Sequence, residues 1–321
     1  MPVFCVDKPL GLTSHDVVAR ARRVLGTRRV GHAGTLDPLA TGVLLILVDE
    51  STKLSSYLTG HDKRYLAWLT FGAGTPTLDA EGPITSRGDA SHVDEQALAA
   101  AIEPFLTLTE QRPPAFSAIK QAGERSYQAA RRGDIVEPPP RPAAYRDVTL
   151  LGLAASRTEL PTRFAPSTSD GGQPTWLPRA DGRTFDLPER LDEDQPLPTA
   201  LVSLSVAAGT YVRSFARDLG TALGTPAHLS GLVRVASGGI DLSSATPLDS
   251  LSDAGPVPAS TALALPVVPL DDATKTAVRQ GKRPSLALVG RTALVDTSNE
   301  LVAIVEPTED GSTYAIMRVF N

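Results

Sequence analysis

The sequence predicts a mixed α/β main domain followed by a small all-β module. Apolar runs of strand length, Val43–Val48 and Tyr65–Phe71, sit among segments of helical periodicity. The tail carries only short strand patterns separated by turn signals, at Thr292–Asp296, Leu301–Val305 and Tyr314–Val319. With 321 residues, 41% of them hydrophobic and 21% charged, the chain has the material for one large domain or two ordinary ones. That balance excludes a disordered, collagenous or coiled-coil chain.

The elements follow in order. Thr13 caps a helix, with Asp16 in a variant capping box, Val17, Ala21 and Val24 at helical spacing, and Gly26 as the stop. A loop is expected over residues 27–42, leading into the buried strand Val43–Val48. A second helix is expected over Val93–Phe105, opened by Ser91 with Asp94 at the capping spacing. Ala200–Val206 reads as a strand that passes Gly209 into a helix with Val212, Phe215, Ala216, Leu219 and Leu223 on its apolar face, closed by Gly224. Residues 155–198, rich in Pro, Asp, Glu, Ser and Gly, read as a surface insertion. Residues 241–260 read as a linker.

Several function classes drop out. The longest clean apolar run is far short of the ~20 residues a membrane helix needs. The start of the chain has an early Asp7 and no apolar stretch of the kind a signal peptide carries. Cys5 is the only cysteine, which leaves no internal disulfide and no multi-cysteine metal site. The other histidines, His15, His61, His92 and His228, show no metal-ligand spacing. A cytoplasmic protein with no membrane span and no cysteine- or histidine-built metal site is therefore expected. The net charge of −5 argues against a nonspecific nucleic-acid coat, but local patches decide binding. Arg20, Arg22, Arg23, Arg28 and Arg29 place five arginines within ten residues, either a solvated helix face or a set of phosphate contacts.

The richest segment is Gly31-His32-Ala33-Gly34-Thr35-Leu36-Asp37-Pro38-Leu39-Ala40-Thr41-Gly42-Val43-Leu44. Its early glycines permit a tight turn or a close approach by ligand. Pro38 restricts Asp37 and fixes its own φ, so a carboxylate is held on a stiff loop anchored by a strand. A catalytic carboxylate and an ordinary Asp-Pro turn are both compatible with that pattern alone.

Together with four further blocks in order, this segment resembles the TruB-type tRNA pseudouridine synthases. The blocks are Asp7-Lys8-Pro9 with Gly11, Thr13 and Ser14; Lys63-Arg64-Tyr65; Pro113-Pro114-Ala115-Phe116-Ser117-Ala118-Ile119-Lys120; and Gly209-Thr210-Tyr211-Val212-Arg213 through Asp218-Leu219-Gly220. The resemblance implies an α+β fold, a mixed and largely antiparallel sheet flanked by helices with a small C-terminal PUA-like β module. It places a catalytic domain at residues 1–250, with 155–198 as an insertion longer than expected, and an RNA-binding module at 262–321. The implied activity is isomerisation of uridine 55 in the tRNA T-loop, by a stand-alone monomer without guide RNA, in a reaction that needs neither metal nor redox cofactor.

Carried over by position, the resemblance makes Asp37 the catalytic aspartate, acting by attack on C1′, by stabilising an oxocarbenium-like species or by abstracting a sugar proton. Arg213 is its expected partner, in a two-point contact. Tyr65 is a stacking surface for the flipped base and a group near C5, and Tyr211 lines the uridine pocket. His32 is read as a residue set against RNA rather than a general base, Leu232 as packing on the bound base or as plain core, and Lys8 as either a structural lysine or a contact near the active site. Val233 stands where the family usually has an arginine next to Leu232. The Arg20–Arg29 cluster, with Arg131 and Arg132, and Arg279, Lys282 and Arg283 in the tail, are candidate RNA contacts. A guide-dependent synthase and a noncatalytic RNA-folding protein are the competing readings, and only six lysines argue against the former. A glycosidase is disfavoured because no second carboxylate pairs convincingly with Asp37.

Overall fold

Val43 to Val48 is apolar at every position because both of its faces are covered. In the computed structural model, which describes residues 1–117, 120–121, 124–125, 138–167, 174–189, 195–309 and 313–320, it lies inside a nine-stranded sheet. The main strands and helices in chain order are β1 (Val3–Lys8), α1 (Ser14–Val24), β2 (Val30–Ala33), β3 (Ala40–Val48), β4 (Lys63–Phe71), α2 (Glu95–Ile102), β5 (Tyr145–Ala154), β6 (Thr199–Val206), α3 (Val212–Ala222), β7 (Ala227–Ser237) and β8 (Thr246–Pro247). The sheet order is β5-β6-β4-β7-β3-β1-β8, with β2 paired to β3. Only the β7/β3 and β1/β8 neighbours along that path run parallel, so the sheet is mixed and largely antiparallel.

One face packs against helices: Val6, Leu44, Ile46, Ala67 and Leu69 meet Val17 and Ala21 of α1 and Phe215 and Leu219 of α3. The other face, with Cys5, Leu45, Leu47, Leu66 and Trp68, is covered by Phe164, Trp176 and Phe185 and by Ala293, Leu301 and Ile304 from the tail. Each Val, Leu, Ile or Phe among them contributes roughly 1.5–3 kcal/mol on burial.

Several expectations hold and others need correction. The Thr13–Asp16 capping box forms as read, with Asp16 N donating to Thr13 Oγ1 at 3.1 Å and Thr13 N donating to Asp16 Oδ2 at 2.9 Å. The second helix is shorter than expected. Asp94 rather than Ser91 caps it, accepting from Ala97 N at 2.7 Å, and beyond Ile102 the chain tightens into a 3₁₀ turn containing Pro104. The loop expected over 27–42 contains β2, and β3 begins at Ala40. Residues 241–260 are not a linker: β8 pairs with β1, Leu248 and Leu251 are buried, and Val257 N donates to Val3 O at 2.7 Å.

The described part of 155–198 is likewise more than a surface loop. Strands Arg163–Ser167, Thr175–Pro178 and Arg183–Thr184 form a small sheet whose aromatic side chains lie on Trp68, with Phe164 at 5.8 Å between ring centroids. Buried Arg157 donates to the carbonyls of Ser230 and Pro188, tying this patch to β7. Arg131 and Arg132 lie outside the described residues.

The tail forms a four-stranded sheet from β9 (Val267–Pro269), β10 (Thr292–Val295), β11 (Leu301–Pro307) and β12 (Tyr314–Val319), with α4 (Asp272–Arg279) packed on it. Leu270, Val278, Leu294, Val302 and Val305 make its own core.

Candidate active site

The Gly34–Leu39 loop joins β2 to β3 and is clamped from three directions. Ser14, at the start of α1, donates through Oγ to Leu36 O at 3.1 Å and accepts from Leu36 N at 2.9 Å. Pro38 O accepts from Gly11 N at 2.9 Å and from Lys8 Nζ at 3.3 Å. Arg234 of β7, almost wholly buried, donates to Gly34 O at 2.9 Å, Thr35 O at 3.4 Å and Val43 O at 2.7 Å. Gly34 has φ +78°, and Gly42 has φ +96°, where a Cβ would stand 2.3 Å from the Arg234 carbonyl oxygen. Neither position admits another residue without strain.

Asp37 is therefore presented on a fixed loop, 36% exposed, at a cleft of about 260 Å³. Arg213, on the first turn of α3, places Nε 2.8 Å from Asp37 Oδ2. The expected two-point contact is not formed. The Nε hydrogen is not aimed at the carboxylate, so the contact is an ion pair rather than a directed hydrogen bond. The two Nη atoms donate elsewhere, Nη1 to Thr77 O and Nη2 to Phe116 O, each at 2.9 Å.

Behind Arg213 lies a second carboxylate that the sequence reading missed. Buried Asp79 has Oδ2 3.5 Å from Arg213 Nη1, and its Oδ1 accepts from Thr77 Oγ1 at 2.6 Å and Glu81 N at 3.1 Å. Burial pushes the Asp79 carboxyl up, against the pull of Arg213. Glu81 nearby is pushed up to about 7 by partial burial and by Asp79 and Asp37. Burial opposes the charge on Arg213, but Asp37, Asp79 and Glu81 outweigh it and raise its pKa. Asp79 is absent from the cleft lining, so it supports the arginine and does not form a glycosidase-type carboxylate pair with Asp37.

Tyr65, Tyr211 and Leu232 line the same cleft as Asp37 and Arg213. Tyr65 is on β4 opposite Arg234 of β7, and Leu232 lies two residues earlier on β7, opposite Ala67. Tyr211 caps α3 and is held by Gln111, another residue missed from sequence. Gln111 Oε1 accepts from Tyr211 N at 2.9 Å, and Nε2 donates to Tyr211 O at 3.2 Å and to Tyr145 Oη at 2.6 Å. Burial, then Asp37, raises the Tyr211 phenol. Gln111 lies two residues before the block that begins Pro113-Pro114, which is the signal that pointed to this loop.

Two expected contacts fall outside the lining. Lys8 is fully buried and directs Nζ to the carbonyls of Pro9 at 2.9 Å, Leu12 at 2.5 Å and Pro38 at 3.3 Å. Its three donors are spent on backbone, so it braces the Asp37 loop instead of reaching substrate. Burial lowers it to about 8, against the raising effect of Asp37. His32, on β2, packs edge-on against His15 at 5.5 Å, its buried Nδ1 has no partner among the described residues, and burial lowers it to about 4. In the arginine cluster, Arg20 pairs with Asp249, Arg29 with Glu50 at 2.6 Å, and Arg22 donates to Val30 O at 3.0 Å, while Arg23 and Arg28 are exposed. Among the described residues no group of His, Cys, Asp and Glu gathers to hold a metal ion, and no helix is long and apolar enough to cross a membrane.

Residues 22–168 match the TruB family pseudouridylate synthase (N terminal domain). The chain is 47% identical over 320 residues, covering 100% of both chains, to tRNA pseudouridine synthase B of Deinococcus radiodurans. It is 48% identical over 321 residues to the protein of that name from Thermus thermophilus, covering 100% of this chain and 99% of the other. These alignments run through 155–198, so the insertion is not an excess peculiar to this chain. A solved Cbf5-Nop10-Gar1 complex contains a chain of the same fold, with TM-score 0.65 and 23% identity, covering 100% of this chain and 85% of that one. Full-length identity at this level, with four of the five motifs supplying one cleft and the fifth bracing its loop, means that the chain belongs to the TruB family of pseudouridine synthases.

Proposed function

We propose that the chain converts uridine 55 of the tRNA T-loop to pseudouridine, acting as a cytoplasmic monomer without guide RNA. The observation that carries this reading is a single cleft carboxylate, Asp37, paired with Arg213 and walled by Tyr65, Tyr211 and Leu232. The isomerisation breaks C1′–N1, joins C1′ to C5, loses the proton at C5 and leaves one on N1, so atoms balance and no electrons are added or removed overall. A base turned out of its stack needs an apolar, aromatic wall, and the two tyrosines with Leu232 supply one. Asp37 acts at the sugar, Arg213 fixes its carboxylate, and Tyr65 stacks on the base and serves proton loss at C5. His32, beside the loop, is set against RNA.

Residues 1–250 act as the catalytic domain, and 262–321 as a PUA-like module offering the exposed cations Arg279, Lys282 and Arg283 to RNA. A T-loop is recognised by its folded shape more than by groove reading.

The test is incubation of purified protein with an unmodified tRNA transcript, followed by mapping of pseudouridine. One modification, at position 55, abolished when that uridine is replaced, is expected. A folded protein that binds the transcript but modifies it only after guide RNA and partner proteins are added would overturn the stand-alone reading.

A further inference from the structure

Among the described residues the cleft holds more positive charge than its carboxylates balance. Arg213 is flanked by Asp37 and Asp79. Lys63 and Arg234 line the same cleft at 7% and 1% exposure, and among the described residues neither forms an ion pair. They stand together: a side chain starting at Gly34 would meet Arg234 Nη1 at 3.5 Å and Lys63 Cε at 3.6 Å. Carbonyl oxygens satisfy much of their hydrogen bonding but do not neutralise them, and burying an uncompensated cation is costly. Asp62, the acid next in sequence to Lys63, is engaged with Arg146 at 3.1 Å.

Lys63 also has a donor to spare. Its Nζ gives hydrogen bonds to Thr59 O and His61 O, both at 2.5 Å, and an ammonium has three N–H groups. Arg234 is committed to the Gly34–Thr35 loop and to Val43, so its contribution is a fixed charge behind that donor. A neutral uracil ring would leave this surplus in place, whereas a singly charged phosphodiester offsets it.

The geometry points to Lys63, backed by Arg234, as the seat of a phosphodiester oxygen flanking the flipped nucleotide. This rests on the proposed function, because it takes the cleft as the place where an RNA nucleotide enters. The contact holds the backbone of the extruded nucleotide while Asp37 addresses its sugar, and it carries no base information.

The experiment uses full-length protein and T-arm transcripts carrying one neutral methylphosphonate, either 5′ or 3′ of uridine 55, with binding and single-turnover rates measured. Wild type is expected to lose about tenfold in affinity on one of the two neutral transcripts, as for a lost hydrogen bond to a charged group. Lys63→Met is expected to lose about tenfold on the natural transcript, with no further loss on that neutral one, and its salt slope falls by about 0.7. Lys63→Arg retains most of the wild-type binding. Penalties that multiply between Lys63→Met and the neutral linkage would overturn the assignment. So would a wild type indifferent to both neutral linkages, an arm that needs no variant to fold. Failure of the proposed function is separate, appearing as wild type that binds the natural transcript and leaves uridine 55 unmodified.

Discussion

Arg213 meets Asp37 through Nε alone, 2.8 Å from Oδ2, while its two Nη atoms are fixed on the carbonyls of Thr77 and Phe116. The arginine is thus anchored to two loops, and the position of the carboxylate follows from theirs. A lysine has no such fork. Arg213→Lys is expected to cost about 10²-fold in single-turnover rate, the scale of a small misplacement at the reacting centre. RNA affinity is expected to change much less. Equal losses in rate and affinity would show that Arg213 binds substrate rather than positioning Asp37.

Removing the guanidinium also strands Asp79, which is buried against it. Arg213→Met is expected to destabilise the fold by about 3–5 kcal/mol, and Asp79→Asn combined with it is expected to recover part of that loss. Denaturant unfolding of the single and double variants checks both statements.

Gln111 bridges Tyr211 and Tyr145 with its one amide. Gln111→Leu leaves the Tyr211 backbone groups and the Tyr145 hydroxyl without that partner, with an expected cost of about 1–3 kcal/mol. Turnover is expected to fall with it. Tyr145→Phe removes one acceptor only and is expected to cost less on both counts, measured by thermal unfolding and initial rates.

Burial lowers both Lys8 and Lys63 to about 8, from the 10.5 they hold in an unfolded chain. Between pH 8 and 9 the unfolded chain therefore binds more protons than the folded one, and stability rises with pH. The expected gain over that unit is about 1 kcal/mol for each lysine. From about pH 8 upward the trend is partly opposed by Cys5, whose thiol burial pushes up from 9.0 to about 12, so that only the unfolded chain loses its proton there. Denaturant melts at pH 8 and 9, wild type beside Lys8→Met, check the slope.

The described part of 155–198 shows what sequence patterning hides. Its Pro, Ser and acidic residues read as a loose insertion, yet Phe164, Trp176 and Phe185 form a dense aromatic group on Trp68. The burial is set by the sheet beneath, which no local pattern reports. Phe164→Ala is expected to cost about 3–5 kcal/mol in chemical unfolding, and a cost near zero would return the segment to the status of a surface loop.

Elements specified locally were legible: the Thr13–Asp16 box for α1, the apolar face of α3, the two-sided apolar run of β3 and the turn-bounded strands of the tail. β7 was not, because Ser230, Gly231 and Arg234 interrupt its pattern and its register shifts beside Gly231. The motif residues Asp37, Tyr65, Tyr211, Leu232 and Arg213 were legible as a set and share one cleft. Asp79 and Gln111 were not, since their meaning depends on partners far along the chain. Gln111 and Tyr211 are 100 positions apart, and Thr77, whose carbonyl holds Arg213, is 136 positions from it. Lys8 was legible as either a structural lysine or a contact near the active site, and the fold directs it at backbone.

The most direct measurement is tritium release from a tRNA transcript labelled at uridine C5, with wild type beside Asp37→Asn. Release from wild type, one site per tRNA and lost when uridine 55 is replaced, with none from an Asp37→Asn protein that still binds the transcript, is the expected result. Release at comparable rates from both proteins would leave the enzyme in place and contradict the role of Asp37.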